Sequence, residues 1–176
     1  KKQAKAILKF TGENPCRIMF NHKWLAKIAL RELLELAGHF TVQQIMERDM
    51  FKQRWDQNLA IHLPEFMYTL MQGYDSVAMD VDVEIGGNDQ TFNMLAGRKL
   101  MRVMKNKEKQ VLALKLLVND EGKKMSKSEG GFVAINDTPE EMYGKLMAMA
   151  DSMILPYFEI ITDVPMEDIE GMKLQM

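Results

Sequence analysis

The chain has 176 residues, 47% of them hydrophobic, with a formal net charge of −2, so it can bury a core and carries no global charge that favours nucleic acid or a membrane surface. Its single cysteine, Cys16, excludes an intramolecular disulfide and fits a reducing compartment. No apolar run approaches the roughly 18 residues of a membrane span.

In chain order, residues 1–10 read as the end of a helix broken by "TGENP", and "CRIMF" (16–20) as a short strand or extended entry. "WLAKIALRELLELA" (24–37) has apolar residues at helical spacing and stops at Gly38, which predicts one helix. "TVQQIMERDMFKQRW" (41–55) predicts another, with Thr41 as N-cap and Gln44 in the capping-box position. "HLPEFMYTLMQGYDSVAMD" (62–80) places Pro64 in a first turn, and the helix is expected to run to about Asp75. "VDVEI" (81–85) alternates and is β-branched, a strand ended by Gly86 and Gly87. "NDQTFNMLAGRKLMRVMK" (88–105) is the next helix, with Asn88 or Asp89 near its N-cap, and "VLALKLLV" (111–118) reads as a buried strand. A glycine-, lysine- and serine-rich loop, "NDEGKKMSKSEGG" (119–131), follows, then helices near 139–149 and 151–160, the first introduced by "DTPEE". Strands alternating with helices predict an α/β fold with a mostly parallel sheet, in which ligands bind beyond the carboxyl ends of the strands.

Three constellations carry chemistry. Tyr68, Gln72 and Asp75 are spaced four and three apart, so they share one face of an otherwise apolar helix. That stripe is either the helix's one wet face or the wall of a polar pocket whose phenol, amide and carboxylate bind an amine and a hydroxyl. In "EIGGNDQ", Gly86 and Gly87 allow a ligand close to the backbone, Asp89 suits ribose hydroxyls, and Gln90 offers a donor and an acceptor. In the loop, Lys124, Ser126, Lys127 and Ser128 surround Met125, between flanking glycines. Lysines and hydroxyls in a closing loop stabilise charge on phosphoryl oxygens, and no G-x-x-x-x-G-K-[ST] phosphate loop is present. From residue 98 to 127 there are ten basic and three acidic residues, and from 128 onward two basic and ten acidic. This local basic strip suits an anionic ligand better than a nucleic acid bound over the whole surface.

"KMSKS" (124–128) is identical to the signature loop of class I aminoacyl-tRNA synthetases. "YTLMQGYD" resembles the tyrosine-pocket helix of tyrosyl-tRNA synthetases, "IGGNDQ" resembles their "IGGSDQ", and "GHFTVQQIMERDMFKQR" is similar to their connecting region. The resemblance spans nearly all of residues 17–160. It implies the second half of a Rossmann-like catalytic domain with an inserted helical connecting region: 1–63 connecting region and dimer interface, 64–118 catalytic half-domain, 119–176 signature loop and following helices. It also implies that Tyr68 and Gln72 hold the α-amino group of tyrosine, that Asp75 accepts from its phenolic hydroxyl, and that Gln90 lines the same pocket. Gly86, Gly87 and Asp89 would meet the adenylate, Leu117, Val118 and Met125 the adenine, and Lys124, Ser126, Lys127 and Ser128 the departing pyrophosphate. The implied partners are tyrosine, ATP with accompanying Mg2+, tRNA(Tyr) and a second copy of the chain. No protein metal-ligand set is predicted, and the expected setting is cytoplasmic.

The class I "HIGH" histidine motif is absent, since His22, His39 and His62 stand isolated. The chain is therefore expected to be a fragment, without the histidine-motif half and the anticodon-binding region, weakly active or inactive alone. Two alternatives remain at this point: a non-catalytic tyrosine- or nucleotide-binding module of the same fold, and a tryptophanyl relative.

Overall fold

A computed structural model describes residues 3–119, 122, 125 and 132–174. They form two compact units, one spanning Phe20–Leu114 and the other joining the first 19 residues to those from Lys115 onward. These units are defined by packing, whereas the three segments above are defined by motifs.

The Phe20–Leu114 unit begins with four short helices, α1 (His22–Leu25), α2 (Leu30–Ala37), α3 (Val42–Met46) and α4 (Asp49–Asp56). The long helix α5 (Leu63–Met79) leads to strand β1 (Val83–Gly87), a 3-10 turn (Asn88–Gln90), helix α6 (Thr91–Lys105) and strand β2 (Gln110–Leu114). Local chemistry sets several of these boundaries. Thr41 Oγ1 accepts the Gln44 N–H at 3.1 Å and Gln44 Oε1 accepts the Thr41 N–H at 3.2 Å, the expected reciprocal cap. Pro64 lies in the first turn of α5, and the His62 N–H donates to Glu65 Oε1 at 2.8 Å. Asp80 and Asn106 end α5 and α6 in left-handed conformations, with φ of 53° and 50°.

Packing corrects two of the sequence expectations. Residues 24–37 are not one helix, because Ala29 is extended (φ −74°, ψ 158°) and its N–H donates to Glu32 Oε2 at 2.9 Å, starting α2 afresh. On one straight helix Trp24 and Leu36 would project about 120° apart. The break lets Trp24 reach Asp75 on α5 while Leu36 enters the core. Residues 41–55 break likewise at Arg48, whose ψ is 129°. Ile45 and Phe51, again about 120° apart on a continuous helix, are thereby both buried. Of the two readings of "CRIMF", a short strand or an extended entry, no strand forms, and 16–20 are largely exposed. In addition, α5 continues one turn beyond Asp75, to Met79.

The core gathers Leu36, Leu70, Val77, Leu100 and Met101 where α2, α5 and α6 meet. Helices α5 and α6 approach closely at Gly73, where a Cβ would lie 3.0 Å from Leu100 Cδ1 and 3.3 Å from the Gly97 nitrogen. Strands β1 and β2 pair in parallel, Val83 beside Gln110 through Gly87 beside Leu114, with α6 as the crossover. Behind the sheet, Lys109 is completely buried; its ammonium donates to Ser76 Oγ at 2.9 Å and to the Glu84 carboxylate. The expectation of a buried strand over 111–118 is corrected too. Strand β2 ends at Leu114, and Leu112 and Leu114 are each 50% exposed. Gly86 faces Met94 of α6, whereas Ile85, on the opposite face, is 61% exposed. Within the Phe20–Leu114 unit the helices therefore cover one face of the sheet, where a parallel sheet is ordinarily covered on both.

The other unit contains a 3-10 turn (Ala4–Ala6) in place of the expected helix end, then α7 (Pro139–Met147), a 3-10 turn (Asp151–Met153), α8 (Ile154–Ile161) and α9 (Met166–Lys173). Thr138 caps α7 as "DTPEE" predicts, accepting from the Glu141 N–H and donating its own N–H to Glu141 Oε2. Helix α9 was not anticipated. Ala134, Met153, Tyr157 and Ile169 are buried, and the Tyr157 hydroxyl meets the Met125 sulfur. Asp137 accepts from Lys145 at 2.6 Å and from the Ala134 N–H at 2.7 Å, which together hold its carboxyl below the usual range.

Candidate active site

Helix α5 presents Tyr68, Gln72 and Asp75 along one face because residues three and four apart stack on a helix. Tyr68 is 57% exposed, while Gln72 and Asp75 are partly buried. Asp75 is held from α1, where the Trp24 indole Nε1–H donates to Oδ1 at 2.7 Å and Asn21 Nδ2 approaches Oδ2 at 3.4 Å. Two lone pairs on each carboxylate oxygen leave capacity for a further donor.

Gln72 and Gln90, 18 positions apart in sequence, are joined by a residue outside the predicted set. Asn93 Nδ2, on the first turn of α6, donates to Gln72 Oε1 at 3.0 Å and to Gln90 Oε1 at 3.2 Å. Asn93 is buried and its Oδ1 accepts from the Thr69 hydroxyl at 3.0 Å. Thr69 is fully buried and accepts from Arg48 Nη1 at 3.2 Å. The Arg48 guanidinium lies over the rings of Phe51 and Phe92, 5.1 and 5.9 Å from their centroids. Burial lowers its pKa, against the opposing influence of nearby Tyr68 and Glu65. A sequence signal for this hub existed: Gln90 and Asn93 are three apart, as are Thr69 and Gln72, so each pair shares a helix face.

The "GGNDQ" segment forms the junction of β1 and α6. Gly86 packs against α6, where a Cβ would stand 3.0 Å from Met94 Sδ and 3.7 Å from Gln90 Cβ. Gly87 remains extended ahead of the 3-10 turn. Gln90 Nε2 donates to Asp89 Oδ2 at 3.2 Å. Arg48, Asp49, Asn88, Asp89 and Gln90 line an open cleft of about 530 Å³. Predicted pocket residues from α5 and from the glycine turn are thus brought together in one unit.

Leu117, Val118 and Met125 belong to the other unit, where the Met125 N–H donates to the Leu117 carbonyl at 3.2 Å. Lys124, Ser126, Lys127 and Ser128 lie outside the described residues. Within the described residues, no helix is long and apolar enough to cross a membrane.

The family model for class I tRNA synthetases (W and Y) matches residues 1–175. The chain belongs to this family of tryptophanyl and tyrosyl enzymes, in agreement with its α/β fold and parallel strand pair. It is 43% identical over 171 residues to a tyrosine–tRNA ligase of Carboxydothermus hydrogenoformans, covering 97% of this chain and 42% of that protein. It is 41% identical, with the same coverage, to a tyrosine–tRNA ligase of Geobacter metallireducens. Among solved structures, a C-terminally truncated mitochondrial tyrosyl-tRNA synthetase from Coccidioides posadasii shares the fold, with a TM-score of 0.55 and 22% identity over 86% of this chain and 46% of that one. The chain spans about 42% of the length of these curated relatives.

Proposed function

We propose that this chain forms the tyrosine-binding part of a tyrosine–tRNA ligase, which activates tyrosine with ATP and transfers it to tRNA(Tyr). The observation that carries the reading is the α5 stripe with its supports, Asp75 held by Trp24 and Gln72 joined to Gln90 through Asn93. The naming of relatives above 40% identity as tyrosine–tRNA ligases supports it.

In this reading Asp75 accepts a hydrogen bond from the phenolic hydroxyl of tyrosine, and Tyr68 with Gln72 receives its α-ammonium group. A binding site that pairs its own buried acceptor with a substrate hydroxyl disfavours phenylalanine, because that acceptor is then desolvated without a partner. Gln90 lines the same tyrosine pocket, Asp89, Gly86 and Gly87 meet the adenylate, and Leu117, Val118 and Met125 its adenine. The tyrosine carboxylate attacks the α-phosphorus of ATP, a P–O bond forms as the bond to pyrophosphate breaks, and Lys124, Ser126, Lys127 and Ser128 stabilise the departing charge. Mg2+ enters with the nucleotide. The 3′-terminal ribose hydroxyl of tRNA then displaces AMP from the mixed anhydride. The protein works in the cytoplasm as a homodimer, through apolar side chains that α2–α4 leave exposed, among them Leu30, Leu34, Val42 and Trp55.

Calorimetric titration with tyrosine, phenylalanine and tryptophan tests the reading. Tyrosine should bind, with phenylalanine and tryptophan excluded. Preference for tryptophan would reassign the chain within its family, and exclusion of all three would remove the proposed pocket from this chain. Sedimentation equilibrium tests the dimer, and a monomer at every concentration would refute it.

A further inference from the structure

The path from Arg48 to the two glutamines has a chemical direction. A guanidinium only donates hydrogen bonds. Arg48 Nη1 therefore makes the Thr69 hydroxyl oxygen an acceptor, and the one Thr69 hydrogen goes to Asn93 Oδ1. With its oxygen so engaged, Asn93 turns Nδ2 to the glutamines, and both must answer with Oε1. For Gln90 the remaining amide nitrogen donates to Asp89. For Gln72 the amide nitrogen has no hydrogen-bond partner among the described residues. Thr69 and Asn93 are 0% and 1% exposed, so water does not compete for these bonds.

We infer that Asn93 is a positioning residue that fixes the amide orientation of Gln72 and Gln90 together, with Arg48 and Thr69 setting the polarity of the relay. Each glutamine amide could otherwise flip and exchange its donor and acceptor faces at little cost. Locked by Asn93, Gln72 offers the second lone pair of its oxygen and two N–H donors in a single arrangement, suited to a ligand that carries an ammonium beside a carboxylate. This consequence for the ligand rests on the tyrosine reading, whereas the orientation of the amides does not.

Two experiments on the whole chain separate these levels. In the ligand-free chain, Asn93→Ala should shift the side-chain amide 1H–15N resonances of both Gln72 and Gln90 while leaving those of Gln53 and Gln57 on the exposed α4 end in place. Thr69→Val, nearly isosteric and one bond upstream, should move the same two and decides the matter if Asn93→Ala does not fold. Movement of neither glutamine, or of only one, overturns the inference. For the ligand, Asn93→Ala should weaken tyrosine binding about tenfold or more, as expected for two lost hydrogen bonds. That effect should largely disappear in a Gln72→Ala, Gln90→Ala background, because Asn93 acts through those amides. An undiminished effect there would overturn the inference, since it would mark a general structural role. If the unaltered chain fails to bind tyrosine, the functional reading falls and the amide spectra still judge the relay.

Discussion

Glu84→Gln and Lys109→Met remove opposite ends of one ion pair, and their effects on stability should be unequal. The Lys109 side chain is 0% exposed, whereas that of Glu84 is 24% exposed. Removing the Glu84 charge leaves a fully buried ammonium with only neutral acceptors, the new amide oxygen and Ser76 Oγ at 2.9 Å. Breaking a buried pair in this way costs about 3–5 kcal/mol, because an uncompensated charge stays in a low-dielectric site. Lys109→Met fills most of the same volume and leaves a carboxylate that water partly reaches, so a cost of about 1–2 kcal/mol is expected. The double substitution leaves neither charge and should be milder than the sum. Urea denaturation followed by tryptophan fluorescence reads the right unit, since Trp24 and Trp55 both lie in Phe20–Leu114. With a slope of roughly 1–3 kcal/mol per M, Glu84→Gln should lower the midpoint by about 1–5 M. Equal costs, or a larger cost for Lys109→Met, would refute the argument that residual burial of the orphaned charge decides the outcome.

Four further predictions concern the site and its frame. Trp24→Phe removes the 2.7 Å donor from Asp75 and keeps an aromatic ring. Tyrosine affinity measured by calorimetry should fall about 5- to 30-fold, the range of one hydrogen bond to a charged acceptor at a partly wet site, with only a small change in melting temperature. Gly73→Ala should destabilise by about 1–3 kcal/mol, because its Cβ meets Leu100 and the Gly97 backbone in the α5–α6 seam. Gly86→Ala, whose Cβ meets the flexible Met94 thioether, should cost under about 1 kcal/mol in the same denaturation assay. The bidentate contact with Arg54, and secondarily the His62 N–H, hold the Glu65 carboxyl at about 2, below the ordinary 4.5. A depressed carboxylate stabilises the fold fully above its unfolded pKa and loses that contribution as pH falls through the folded one. The melting-temperature gap between the unaltered chain and Glu65→Gln should therefore be constant from pH 7 to about 5 and close between about pH 4.5 and 2. A gap that persists unchanged at the acid end would refute the assignment.

Much of the site was legible because it is local. Tyr68, Gln72 and Asp75 share a face through helical periodicity alone, and Thr41 with Gln44, Thr138 with Glu141 and Pro64 mark helix starts through contacts within four residues. The glycine turn after β1 was legible for the same reason. What was not legible depends on residues far apart in sequence. Two apolar stretches that scan as single helices are broken at Ala29 and Arg48, because side chains on different faces of a straight helix had to meet the same core. The apolar "VLALKLLV" run implied burial, yet burial depends on what covers a sheet, and α5 and α6 cover one face of this one.

By itself the sequence determined the α/β class, the helix starts at Thr41, Pro64 and Thr138, the polar stripe on α5 and the family. The interactions that set those elements act within one or two turns, or are carried by motifs in fixed order. Tertiary structure alone decided that Asn93 joins Gln72 to Gln90, that Trp24 holds Asp75, and that Lys109 is buried against Glu84. These pairings span 21, 51 and 25 positions for Asn93–Gln72, Trp24–Asp75 and Lys109–Glu84. No local propensity encodes them, and they arise only when packing excludes water and each buried donor must find an acceptor.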